Sequence, residues 1–119
     1  MLALFDVGLT EIPYLSNLTD LKSLYLGSNG IVRSSFRSFF NAETGRYRTM
    51  PKLKYLGLNG NNISKVDASI KDVFPNQLMV ISLDELGLCS IHGNMKDKLD
   101  KVGIQLVEPD EKSDSDVKN

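Results

Sequence analysis

Cys89 and His92 form the one closely spaced pair of reactive or metal-binding side chains in the sequence, as C-x-x-H. A thiolate and an imidazole are zinc ligands, but the chain has one cysteine and one histidine, so a set of four such ligands cannot be completed. A nucleophile and base would also need a third group to orient the imidazole. Free cysteine is among the most often buried residue types. We therefore expect Cys89 to pack, and we predict neither a metal nor a cofactor.

Two glycine-rich stretches could be mistaken for phosphate-binding loops. GSNG occupies residues 27–30 and GLNGNN occupies residues 57–62, but no G-K-[ST] follows either of them. No nucleophile, base and orienting group appear together at a spacing that favours catalysis. We therefore predict that the protein is not an enzyme.

A cluster of basic residues lies between residues 32 and 50, where four arginines stand against one glutamate and alternate with aromatic residues. Such a cluster could contact nucleic acid, an acidic protein or a membrane surface. Alternatively, the phenylalanines fill the core and the arginines face solvent, which the small excess of charge favours over nucleic-acid binding. Phe36, Phe39 and Phe40 have helical spacing and predict a short helix at about 34–41. The second candidate surface comprises Arg33, Arg37, Arg46 and Arg48.

The elements that would position these candidate residues come from a repeated sequence pattern. The stretch LKSLYLGSNGI at residues 21–31 returns as LKYLGLNGNNI at residues 53–63. Both copies follow L-x-x-L-x-L-x-x-N-x-I, and a third, starting at Leu78, has Leu86 in place of the asparagine. Partial copies begin at Leu2 and Ile104, so predicted strand positions start near residues 2, 24, 56, 81 and 104. Within L-x-L, strand alternation points the leucines inward and the central residue outward.

This spacing resembles the leucine-rich repeat family, with short repeats of 22–25 residues like those of intracellular members. The resemblance implies an α/β fold: a right-handed solenoid of four to five coils over residues 1–108, with an insertion at about 33–49. A short parallel sheet would line its concave face, with 3₁₀ and helical returns on the convex face. It also implies that Asn29 and Asn61 turn inward and bond the backbone of each bend.

The concave sheet of such a fold is the usual binding face. Phe5, Tyr25 and Tyr55 would fall on successive coils and form an aromatic ridge of the kind that supplies interface hot spots. Its charges would be acidic, from Asp6, Asp84, Glu85 and Glu108, so the expected partner is a protein with a basic, partly apolar surface. The rings could instead only stack across neighbouring strands and stiffen the sheet. The predicted partner-binding residues are Phe5, Tyr25, Ser28, Tyr55, Asn59, Ser82, Asp84 and Glu85.

Composition sets the remaining expectations. The chain of 119 residues has a net charge of −1 and 41% hydrophobic residues, which is typical of one soluble domain. No apolar run approaches the roughly 20 residues of a membrane span. A lone cysteine and the lack of a signal peptide favour a cytoplasmic or other intracellular location over secretion. Residues 109–119 are rich in serine, aspartate and lysine and predict an acidic disordered tail.

Two functions remain open at this point. The first is a non-catalytic protein–protein interaction module that binds its partner on the concave face. The alternative is the C-terminal recognition or autoinhibitory part of a larger enzyme or receptor. A third reading, a nucleoprotein subunit, depends on the arginine insertion. The unfinished repeat at Leu2–Leu4 also suggests that the N-terminal edge is covered, either by a second copy of the chain or by an upstream region.

Overall fold

Most of the regular secondary structure consists of short strands, which are connected by longer loops. The computed structural model describes residues 1–84 and 86–109. Within these residues a single 3₁₀ turn, Arg37–Phe39, precedes the fourth strand. In chain order the other elements are β1 (Leu2–Ala3), β2 (Ser23–Tyr25), β3 (Arg33–Ser34), β4 (Phe40–Asn41), β5 (Arg46–Tyr47), β6 (Tyr55–Gly57), β7 (Lys65–Asp67), α1 (Ile70–Val73), β8 (Val80–Leu83), β9 (Gly87–Ser90), α2 (Met95–Lys101) and β10 (Gln105–Val107).

The largest sheet among the described residues has the order β1-β2-β6-β8-β9. The first four strands are parallel, and their register places Leu2, Leu24, Leu56 and Ile81 side by side. The last three of these are fully buried. This alignment is the one that the repeat predicts, because each L-x-L segment points its leucines to the same side of the sheet. The strand β9 closes the sheet by pairing antiparallel to β8.

A second parallel sheet, with the order β10-β7-β3, lies elsewhere in the described chain, and β4 and β5 form an antiparallel hairpin. One hydrophobic core joins these parts. Phe36 is at its centre, with ring centroids 5.4 Å from Phe74 and 6.0 Å from Phe39 in edge-to-face geometry. All three rings are buried. The phenylalanines of the insertion at Phe36 and Phe39 therefore fill the core, as the second interpretation of that segment expects.

The predicted leucine-rich-repeat solenoid is wrong as a description of this fold. The segment at 104–107 was expected to extend the sheet of the earlier repeats, but β10 pairs with β7 in the second sheet. The strand β9 occupies the position beside β8 that was expected for the segment at 104–107. Because β9 runs antiparallel to β8, the large sheet is mixed rather than parallel. The returns carry a second sheet and two short helices within the described residues. The molecule extends 38 × 33 × 30 Å, which describes a globule rather than a stack of coils.

The third copy of the repeat shows why the parallel sheet does not continue beyond β8. Leu86 stands where Asn29 and Asn61 stand in the earlier copies, so no inward amide can hold the same bend. Gly87 follows with φ at +66°, a conformation that side chains disfavour and glycine adopts freely. The chain reverses there and returns along β8. As a result Leu88, expected to be an inward repeat position, is 55% exposed, and Leu78 at the start of the same repeat is 68% exposed.

The helix expected at about 34–41 is wrong, because that segment holds β3, the 3₁₀ turn and β4. The helices of the described residues lie elsewhere: α1 follows β7, and α2 follows β9. Gly103 comes shortly after α2, with φ at +78°. The predicted tail falls outside the described residues from 110 onward.

Candidate functional site

An aromatic row crosses the exposed face of the large sheet. It consists of Phe5, which follows β1, Tyr25 of β2 and Tyr55 of β6. The ring centroids of Tyr25 and Tyr55 are 5.0 Å apart, and those of Phe5 and Tyr25 are 6.1 Å apart, all tilted. These separations lie in the range of favourable aromatic pairs. The structure therefore brings together the three rings that the repeat predicts as neighbours.

Glycines make room for the outer two rings. A Cβ atom on Gly57 would lie 3.0 Å from Cε2 and Oη of Tyr55, so the tyrosine ring lies over this glycine. A Cβ atom on Gly27 would lie 3.2 Å from Cδ1 and Cε1 of Phe5. The rings of Phe5 and Tyr55 therefore pack close to bare backbone, at positions where a larger residue would displace them.

The apolar surface continues beyond the aromatic row. Val80 pairs with Tyr55 in the register of β6 and β8, and Leu88 lies opposite Ser82 across β8 and β9. Sequence reasoning missed Leu88, because its spacing fits an inward repeat position. The available signal was Gly87 after Leu86, which is a turn signal that precedes a change of strand direction.

An asparagine network supports the loops at the carboxyl ends of the strands. The side chain of Asn61 accepts hydrogen bonds from the backbone N–H groups of Asn29 and Ile31, both at 3.1 Å. It donates to the carbonyls of Leu26 at 2.8 Å and Leu58 at 3.1 Å. Asn61 is 2% exposed, so the inward position expected from the resemblance is confirmed for this residue.

Asn29 makes the same type of contact one strand earlier. Its oxygen accepts from the N–H groups of Val7 and Leu9, at 2.9 and 3.1 Å. Its nitrogen donates to the carbonyls of Leu4, Leu26 and Gly27 at 2.8 to 3.1 Å. This amide is half-buried and therefore closer to water than that of Asn61.

The polar residues predicted on this face lie around the same loops. Both carboxylate oxygens of Asp84 accept from the N–H of Gly60, at 3.0 and 2.7 Å, so this side chain connects the loops that follow β6 and β8. The hydroxyl of Ser82 donates to Asn59 at 3.1 Å. Ser28 and Asp6 adopt positive φ values of 56° and 52°. These residues form the rim of the candidate site, with the charges of Asp6 and Asp84 at its carboxyl end.

Two predicted acidic positions do not join this rim. Glu108 follows β10, so it belongs to the second sheet and not to the aromatic face. Glu85 lies outside the described residues. At the opposite ends of the strands, Lys22 and Lys54 are exposed directly before β2 and β6. Each lysine stands two residues before a buried leucine, so strand alternation does not put it on the side of the aromatic row, and the described charges of this rim are those of Asp6 and Asp84.

The arginines of the second candidate surface are dispersed. Arg33 donates through Nε to Oδ1 of the buried Asp67 at 2.6 Å. The guanidinium of Arg48 lies 5.9 Å from the ring centroid of Tyr14. Arg37 and Arg46 are exposed, on the 3₁₀ turn and on β5. With Arg33 engaged by an internal carboxylate, the cluster is smaller than the sequence suggests.

Cys89 and His92 take up structural positions. Cys89 is fully buried beside Ile81, and burial raises the pKa of its thiol above the ordinary value. The Nε2 atom of His92 lies 2.8 Å from the carbonyl oxygen of Phe74. Over residues 1–84 and 86–109, no group of three or more histidine, cysteine or carboxylate side chains is arranged to hold a metal ion.

Comparison with protein-family models, with curated proteins and with solved structures finds no match for this chain. Membership of the leucine-rich repeat family stays a prediction from the spacing alone. Among the described residues, none of the helices has both the length and the apolar character needed to cross a membrane.

Proposed function

We propose that the chain is a non-catalytic interaction module that binds a protein partner on the exposed face of the large sheet. The observation that carries the proposal is the aromatic row of Phe5, Tyr25 and Tyr55, whose neighbouring ring centroids are 6.1 and 5.0 Å apart on this face. Tyrosine and phenylalanine are enriched at protein interfaces because large rigid rings bury much area at small entropic cost. An exposed Phe5, at 54%, gains most from being covered.

The charges around the aromatic row indicate the partner's chemistry. Asp6 and Asp84 lie at the carboxyl end of the strands. A partner with an apolar strip and basic groups beside Asp6 and Asp84 would match this arrangement. Such complementarity orients a partner and raises its association rate more than it raises affinity.

Stacking that only stiffens the sheet is the competing explanation of the aromatic row. Cross-strand aromatic pairs contribute about 0.2–1 kcal/mol to a sheet, which two tyrosines on adjacent strands supply without any partner. That account gives no reason for Leu88, which is 55% exposed, to lie in the same register row as Tyr25. Exposed apolar groups on several strands of one face are more typical of an interaction site.

The test introduces the photo-crosslinking residue p-benzoylphenylalanine at Tyr25 in the cells that express the protein. The matched control carries it at Val32, which is also exposed but precedes β3 of the second sheet. We expect one protein to be crosslinked from position 25 and not from position 32. No crosslinked protein at position 25 would refute the proposal.

The crosslinked protein is then purified and its affinity measured by calorimetry. We expect the double variant Tyr25→Ala, Tyr55→Ala to bind at least about tenfold more weakly, a loss of about 1.4 kcal/mol. Val32→Ala should bind like the unmodified chain. A folded double variant with unchanged affinity would show that the rings only stiffen the sheet.

A further inference from the structure

The two edges of the large sheet differ in how their backbone groups are bonded. At the β9 edge, the carbonyl of Leu88 accepts from Nζ of Lys98 at 2.9 Å, and the N–H of Ser90 donates to Oδ1 of Asn94 at 3.1 Å. Lys98 lies in α2, and Asn94 directly precedes this helix. These side chains occupy backbone groups that another strand would need, so the β9 edge is protected from further pairing.

The β1 edge lacks contacts of this kind. Leu4 and Asp6 donate their N–H groups to carbonyls of the neighbouring β2 segment, at 2.8 and 3.3 Å. Because backbone groups alternate in direction along a strand, the N–H and C=O groups of Ala3 and Phe5 point away from β2. Within residues 1–84 and 86–109, no hydrogen bond reaches these outward groups. The β1 edge is therefore open to another strand.

Apolar side chains surround this open edge. Met1, Phe5 and Val7 are exposed, and so is Leu18, which lines a cleft beside Met1. The segment at 1–5 contains no charged residue and no proline, the residue types that natural proteins often use to stop an edge strand from pairing. Free backbone groups and exposed apolar side chains thus occur together at this edge. This combination is typical of a sheet that is extended by a strand from another chain.

We propose that β1 pairs antiparallel with β1 of a second copy of this chain, about a two-fold axis at Ala3. In this register the N–H and C=O groups of Ala3 exchange two hydrogen bonds with Ala3 of the second copy. Phe5 lies opposite Met1 of the second copy, so its outward groups also gain partners. The large sheets of the two copies then form one continuous sheet. This association goes beyond the proposed function, because it needs no other protein.

The side chains of this segment fit a second copy of the same segment. Leu2 is in register with the buried Leu24, so Leu2 and Leu4 are on the core side of the sheet and Ala3 is on the outer side. About the proposed axis, Leu2 lies beside Leu4 of the second copy, and Phe5 lies beside Met1 of the second copy. These pairs cover apolar groups that are half-buried or exposed in one chain. A shift of the register by one residue would oppose Ala3 to residues whose backbone groups already face β2.

Sedimentation equilibrium of the full chain measures the association. We expect the average mass to rise from the 13.2 kDa of one chain toward twice that value between about 10 μM and about 1 mM protein, where small interfaces associate. A mass that stays at one chain over this range would refute the proposal. A mass that exceeds two chains would also refute it, because two-fold pairing of β1 leaves no further copy of this edge to extend the assembly.

Substitutions at Ala3 test the edge itself. Ala3→Pro removes the N–H group that faces the second copy and none that bonds to β2, so it should weaken the dimer at least about tenfold while the chain stays folded. Ala3→Lys keeps every backbone group but places two like charges side by side at the axis, and it should weaken the dimer at least about fivefold. Ala3→Ser and Val32→Lys are the matched controls and should dimerise like the unmodified chain, since Val32 is exposed away from this edge. If Ala3→Pro does not fold, Ala3→Lys decides, and an unchanged dimer in either folded variant would overturn the proposal.

Disulfide crosslinking tests the register. Opposed residues of an antiparallel pair have Cα atoms about 4.5–5.5 Å apart, which a disulfide can span. Under mild oxidation Ala3→Cys should crosslink to its own copy, whereas Phe5→Cys should not, because it lies opposite Met1. Val32→Cys measures random collisions, and the native Cys89 is buried. Crosslinking of Ala3→Cys no faster than that of Val32→Cys or Phe5→Cys would exclude pairing about Ala3. These tests use the chain alone, so their failure leaves the proposed binding of another protein untouched.

Discussion

The buried amide of Asn61 gives the sharpest test of how the loops of this fold are held. In Asn61→Ala the side chain no longer bonds the N–H groups of Asn29 and Ile31 or the carbonyls of Leu26 and Leu58. All four backbone groups lie beneath a side chain that is 2% exposed. Because these groups connect the loop after β2 with the loop after β6, their loss should destabilise the sheet rather than one turn.

The magnitude follows from the number of groups left without partners. An unsatisfied buried donor or acceptor costs about 1–3 kcal/mol, and full loss at four groups would exceed the stability of many domains. Alanine leaves room for a water molecule, which can restore about half of these bonds. We therefore expect the free energy of unfolding to fall by about 3–5 kcal/mol.

Asn29→Ala is the matched control, since Asn29 makes five hydrogen bonds against four for Asn61. If the count of bonds determined the cost, Asn29 would be the more important residue. Its amide is only half-buried, so water replaces most of the lost partners. We expect a loss of about 1–2 kcal/mol, in the range of a partly solvated hydrogen-bond network.

Urea unfolding measures both variants. The chain has four tyrosines and no tryptophan, so tyrosine fluorescence and far-ultraviolet circular dichroism report the transition. The midpoint shift multiplied by the slope of free energy against urea gives the change in stability. An equal or greater loss in Asn29→Ala, or a loss below about 1 kcal/mol in Asn61→Ala, would refute the argument that burial sets the cost.

Three further predictions concern the second sheet, the aromatic row and the core. Asp67→Ala should lower the free energy of unfolding by about 2–4 kcal/mol in urea titrations, because it leaves the half-buried Arg33 without its 2.6 Å partner. Gly57→Ala should reduce the near-ultraviolet dichroism of the tyrosines, since the new Cβ atom would lie 3.0 Å from the ring of Tyr55 and lift it off the sheet. The folded chain should react with Ellman's reagent much more slowly than the urea-unfolded chain, because Cys89 is buried and its thiol pKa is raised. Above the unfolded thiol pKa of about 8.5 the unfolded state loses this proton first, so stability should fall as pH rises, and less so in Cys89→Ala.

Matched controls separate these effects from general damage. Asp20→Asn breaks an exposed pair with Lys52 and should change stability far less than Asp67→Ala, because water screens that pair. Gly30→Ala places its Cβ no closer than 3.5 Å to its neighbours and should leave the tyrosine signal unchanged. A Gly30 variant that also alters the signal, or an Asp20 variant as unstable as Asp67→Ala, would contradict the corresponding account.

The sequence predicted the structure well where one local pattern specifies both a strand and the bend that follows it. In L-x-L-x-x-N the leucines indicate the buried side of a strand and the asparagine indicates the bend that follows, so Leu24 and Leu56 align and Asn29 and Asn61 bond neighbouring loops. The three aromatic rings follow from the same register. The outward position of Tyr25 needed only strand alternation, which is a strong local rule.

The same pattern could not predict which strands pair with one another to form the two parallel sheets. The alternation at Ile104 and Leu106 is the same whether the strand joins the large sheet or pairs with β7, so periodicity cannot choose between the two. Pairing of β7 with β3 and β10 depends on contacts between residues far apart in sequence. The reversal at Gly87 was equally decisive, since it moved Leu88 from the expected core to the exposed face.

The exposed apolar groups of the large sheet bear on how the protein would use this surface. The buried leucines and the asparagine network already account for the alignment of the large sheet, so Phe5 and Leu88 are not needed to hold it together. Apolar groups that stay exposed without a structural role lower solubility, and they are retained most readily where a partner covers them.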